Sequence, residues 1–96
     1  MILEIAYLTI DPARADEFEA AVAAAQPIFE KAKGFVSYSL GKVIEDPASY
    51  RVMVGWETVE AHTVDFWSSS GYQQWRALAW PFFVEPPRVE HVERII

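Results

Sequence analysis

"FVSYSLGKVIEDPASYRVMVGWE", residues 35–57, reads as two β-strands folded back on each other. In the first strand, over 35–43, Tyr38 and Leu40 share one face and Ser37, Ser39 and Gly41 the other. This is the two-residue period of a strand. Asp46-Pro47 supplies the turn. The second strand, over 50–57, places Val52, Val54 and Trp56 on one face and Met53 on the other.

Working outward, "ILEIAYLTI" over 2–10 is β-branched and apolar, interrupted only by Glu4 and Thr9. It predicts a strand buried on most of both faces. A helix follows. Asp11 suits its N-cap, Pro12 its first turn, and Asp16 and Glu17 its electropositive end. Phe18, Val22, Ala25 and Phe29 form a stripe at helical spacing. Pro27 is expected to kink this helix and Gly34 to stop it.

Beyond the hairpin, Thr58 can cap a short helix over 59–67. Ser70 with Gln73 resembles a capping box for a further helix over 71–81. "RVEHVERII", 88–96, is the last strand. The order is β-α-β-β-α-β with the second helical segment split. The expected fold class is α+β, ferredoxin-like, with a four-stranded antiparallel sheet and helices on one face. The 96 residues predict a single domain over 1–96.

Composition narrows the function. The chain is 52% hydrophobic, more than one small core readily hides, which suggests a surface buried against a partner. A net charge of −6 argues against nucleic acid and anionic membranes. "KGFVSY", 33–38, partly matches an RNA-recognition sequence, but it is shortened and falls on the second strand, not the third. There is no cysteine, so neither disulfides nor thiolate chemistry are expected. The N-terminal stretch carries Glu4 early and lacks a basic region, unlike a signal peptide. No apolar run approaches the ~20 residues of a membrane span. A soluble cytoplasmic protein is the expectation.

Residues 66–83, "FWSSSGYQQWRALAWPFF", hold seven of the chain's 14 aromatic side chains, a concentration that calls for a reason. Tyr72, Trp75 and Leu78 or Ala79 fall on one helical stripe, which core packing alone would explain. Tyr and Trp also carry polar groups that need partners when buried, as the wall of an amphipathic pocket provides. Phe66, Tyr72 and Trp75 are read as pocket lining; Trp80, Phe82 and Phe83 as closing the core or an interface. His62 is the candidate acid/base, because an imidazole titrates near neutrality. A capping or hydrogen-bonded structural role competes with this. Arg76 is placed at the pocket mouth or in water. Tyr7 and Tyr38 are candidate hydroxyl donors to the same cavity, against plain sheet packing. His62 and His91 lie on separate elements without tight ligand spacing, so no metal site is expected.

Residues 55–93, "GWETVEAHTVDFWSSSGYQQWRALAWPFFVEPPRVEHVE", resemble the second half of the antibiotic biosynthesis monooxygenase family, small dimeric α/β-barrel proteins. The matching features are Trp56, Glu60-Ala61-His62, Ser69 or Ser70, and Tyr72. "EDPASYRVMVGW" (45–56) and Gly34 also fit. The resemblance implies a homodimer whose sheets close into a barrel and a pocket in each subunit between sheet and helices. It brings His62 and Tyr72 forward as catalytic candidates; the reading of the residues above adds Phe66, Trp75, Arg76, Tyr38 and Tyr7 as substrate-binding candidates. It implies a cofactor-free monooxygenase acting on a small apolar or aromatic molecule such as a quinol. An isomerase or a non-catalytic binding protein remains open. The haem-degrading branch is not expected, since the first strand has no Asn and 71–81 has no His.

Overall fold

The computed structural model describes residues 1–96. Its elements are β1 (Ile2–Thr9), α1 (Ala15–Glu30), β2 (Phe35–Lys42), β3 (Ser49–Trp56), a π-helix (Ala61–Phe66), α2 (Ser70–Ala79) and β4 (Arg88–Glu93). The sheet is antiparallel throughout, in the order β2-β3-β1-β4. This is the ferredoxin-like arrangement expected from the sequence.

β1 and β3 hold the centre, and alternation along them divides the residues cleanly. Ala6, Leu8, Val52, Val54 and Trp56 point to the helices and are buried, whereas Leu3, Ile5, Tyr7 and Met53 are half-buried on the opposite face. Phe18, Val22, Ala25 and Phe29 of α1 complete the core, as their spacing requires.

Element ends differ from the sequence reading in physically simple ways. A 3₁₀ turn at Pro12–Arg14 precedes α1, with Asp11 accepting from the Ala13 N–H at 2.9 Å. α1 runs on through Pro27 to Glu30. The cap of α2 is Ser69, not Ser70: its hydroxyl accepts from the Tyr72 N–H and donates to the Phe66 carbonyl at 2.6 Å. α2 stops at Ala79, where Pro81 has no N–H to continue it and a 3₁₀ turn, Trp80–Phe82, takes over. β4 ends at Glu93, short of Ile96, where the ladder closes on Ile2, the first residue of β1.

Gly34 adopts φ 77°, the left-handed region. A Cβ there would also lie 2.7 Å from the Ala61 Cβ, where the π-helix crosses the hairpin. Gly34→Ala is therefore expected to destabilise the fold by roughly 2–3 kcal/mol, combining backbone strain and overlap. Urea denaturation would register this as a lower midpoint at unchanged slope.

Candidate active site

The π-helix sets the site. Thr58 caps the helical turn that leads into it, its hydroxyl accepting from the Ala61 N–H at 3.1 Å. The backbone then widens, and the Trp67 N–H bonds to the His62 carbonyl five residues back at 3.1 Å. In so wide a turn, residues five apart lie on one side, a geometry concentrated at functional sites. Accordingly the Trp67 indole N–H donates to His62 Nε2 at 3.1 Å.

His62 is buried and stacks on Trp56, ring centroids 5.4 Å apart. Beneath it, Glu4 of β1 is only 7% exposed. Glu4 Oε1 accepts from the Trp56 indole N–H at 2.9 Å and lies 3.3 Å from His62 Nε2. His91, opposite Glu4 on β4, completes the cluster with Nε2 2.8 Å from His62 Nδ1. An indole N–H can only donate, so the Trp67 bond assigns the lone pair to His62 Nε2 and the ring proton to Nδ1, which donates to His91.

Burial governs both titrations. It pushes the Glu4 carboxyl up to about 7, opposed in part by the Trp56 hydrogen bond. It pulls His62 down to about 4, with His91 adding to the effect. Near neutrality, then, His62 is an uncharged imidazole beside a carboxyl group poised to gain or lose a proton.

Glu4 and His62 form the polar floor of a cavity of about 70 Å³ between sheet and helices. Glu4 and His62 border it together with Phe29, Phe66, Trp67, Tyr72, Trp75, Trp80 and Phe83. Four residues singled out in the sequence, His62, Phe66, Tyr72 and Trp75, thus meet at one void. Trp80 and Phe83 also line it, although the sequence suggested only a closing role for them.

Three other candidates lie elsewhere. Tyr7 has odd parity on β1 and so points to the opposite sheet face, between the Arg51 and Arg88 guanidiniums, with its hydroxyl on Glu90. Tyr38 faces the helices but spends its hydroxyl on the Val22 carbonyl at 2.7 Å, and is not a cavity wall. Arg76 stays at the surface over the Trp80 ring, 4.3 Å from its centroid.

The sequence reading missed Glu4, Trp67 and His91. Glu4 alone carried a usable signal: its parity aligns it with buried Ala6, Leu8 and Ile10. No group of three or more His, Cys, Asp or Glu side chains is arranged to hold a metal ion. No helix is long and apolar enough to cross a membrane.

The uncharacterized protein YczJ of Bacillus subtilis strain 168 is 41% identical over 95 residues, covering 99% of this chain and all of that one. A candidate antibiotic biosynthesis monooxygenase of Bordetella bronchiseptica superposes with a TM-score of 0.95 at 43% identity, over 99% of this chain and 97% of its own. The cofactor-independent oxygenase SnoaB of Streptomyces nogalater, in a mutant form, shares the fold at TM-score 0.79 and 18% identity, over 99% and 93% of the two chains. The sequence model for antibiotic biosynthesis monooxygenases matches residues 1–78, and the chain belongs to that family.

Proposed function

We propose that this chain is a small cofactor-independent monooxygenase acting on a quinol-type aromatic molecule, as a cytoplasmic homodimer of single-domain subunits. The observation that carries this reading is an acid–base pair, Glu4 and His62, buried at the floor of an aromatic-walled cavity. Kinship with a cofactor-independent oxygenase fold supports it.

The chemistry draws its electrons from the substrate. An electron-rich ring deprotonates, and its anion reduces dioxygen. A proton then returns to the peroxide formed, and loss of water leaves a carbonyl. The balance is ring CH₂ plus O₂ to C=O plus H₂O. The protein's part is to bind the ring, hold the proton, and exclude water. Tyr72 and Trp75 supply walls, and the Tyr72 hydroxyl is a donor for the substrate oxygen.

The cavity as it stands, about 70 Å³, is well below the roughly 300–1,000 Å³ of a typical ligand pocket. A fused ring needs it to widen. Trp67 and Trp80, 47% and 37% exposed, form the rim that would give way. The small volume favours a second reading, an isomerase or non-catalytic binder of a smaller carbonyl compound.

An oxygen electrode separates the two. With a panel of quinols and anthrones, wild type should consume oxygen in the presence of a metal chelator, and His62→Ala should lose about 10²-fold or more in kcat. Ligand binding without oxygen uptake across the panel would favour the binder.

A further inference from the structure

Glu4 is a costly residue for its position. It sits on the buried face of a central strand, among Ala6, Leu8 and Ile10. Its hydrogen bond from Trp56 needs only an acceptor, which an amide would supply without a charge. We infer that Glu4 is the base that takes the substrate proton, and that His62 and His91 form a path carrying that proton to and from solvent at the sheet edge. This rests on the proposed reaction in the same cavity.

The geometry orders the steps. Glu4 borders the cavity, so its carboxylate can take a proton from a bound ring. The carboxyl then passes a proton to His62 Nε2, 3.3 Å away, as the Trp67 indole N–H releases that lone pair. His62 gives its Nδ1 proton to His91 Nε2 across 2.8 Å. His91 releases its own Nδ1 proton to water, since β4 is the edge strand and the ring is only half-buried. Each imidazole gains one proton and loses one, so neither ring becomes charged. The rings are left in their other tautomers. When the peroxide anion takes a proton back by the reverse route, both tautomers are restored. Trp67 is a positioning residue, since its N–H holds the His62 lone pair toward the Glu4 side.

Other ionisable groups near Glu4 are few. β2 presents Tyr38, held above its ordinary range by burial and by the Glu4 charge. α2 presents Tyr72 and β4 presents His91. β3 contributes only the Trp56 indole, and α1 only Phe29.

The test uses full-length wild type, Glu4→Gln and His91→Gln, with anthrone as probe. Glu4→Gln should lower kcat at least 100-fold while KM stays within about threefold, as loss of a proton-transfer group without loss of binding requires. His91→Gln should lower kcat about tenfold, and added imidazole buffer should restore it, which no packing defect would allow. Oxygen uptake that survives Glu4→Gln overturns the assignment.

Should wild type leave anthrone untouched, the oxygenase reading fails, and nitrogen-15 NMR decides the proton path by itself. Solvent exchange of the His62 Nδ1 proton is expected to slow at least tenfold in both variants. Exchange at the wild-type rate in both overturns the path.

Discussion

At pH 8, Glu4→Gln is expected to make the protein more stable, by about 2–3 kcal/mol. The sign follows from the direction of the shift. The folded carboxyl titrates at about 7, above its ordinary 4.5, because burial penalises the charged form. Between those values the folded state holds a proton that the unfolded state has released. Stability from this group is therefore full below about pH 4.5 and is lost as pH rises to about 7. The displacement corresponds to about 3 kcal/mol. Gln is nearly isosteric, keeps an oxygen for the Trp56 N–H, and carries no charge to desolvate.

His62 works in the opposite direction. Its folded value is depressed to about 4 from 6.5, so its contribution is present above pH 6.5 and lost as pH falls toward 4. Between about pH 4.5 and 6.5 the two slopes oppose each other in wild type, whose stability should change little there. Glu4→Gln exposes the histidine slope alone, rising to pH 6.5 and then level. Urea denaturation at pH 5, 6.5 and 8 measures both curves. A variant less stable than wild type at pH 8 would mean that Glu4 is ionised and held by a cationic His62. A stable Glu4→Gln also separates lost catalysis from lost folding.

The fold was legible because it is written in short-range patterns. The parity of Val52, Val54 and Trp56, the stripe from Phe18 to Phe29, and Asp46-Pro47 each act within a few residues of themselves. The proton cluster is written otherwise. Glu4 meets His91 only once β1 and β4, from opposite ends of the chain, are paired. Read alone on its strand, Glu4 is an interruption in an apolar run. Trp67 was hidden by the period assumed for its helix. At about 100° per residue, an α-helix turns a residue five positions on well away from His62. The wider π turn brings it back, and nothing in "EAHTVDFW" announces that widening. Tyr7 shows the converse. Its residue type suited a pocket, but strand parity had already assigned it to the other side of the sheet.

That other side motivates the second large effect. Leu3, Ile5 and Tyr7 of β1 and Met53 of β3 line it, with Val92 of β4 at 42% exposure, and no helix of this chain covers them. Burying each large apolar side chain fully contributes about 1.5–3 kcal/mol. A second copy laid sheet to sheet, as proposed, would capture several such increments against a typical ~5–15 kcal/mol for folding. Ile5 is at the centre, opposite Met53 on one side and Glu90 on the other. Ile5→Lys would put an ammonium into that dry contact, where desolvation costs several kcal/mol, or roughly a thousandfold or more in dimer affinity. The separated subunit should tolerate the change, because its Lys can reach water and pair with Glu90. Sedimentation at low micromolar concentration should therefore give twice the 10.9 kDa chain mass for wild type and the single mass for Ile5→Lys, both with folded circular dichroism spectra. A folded wild-type monomer would refute the sheet-to-sheet dimer. An intact Ile5→Lys dimer would move the interface to another surface, with the exposed Ile95 and Ile96 the next residues to change.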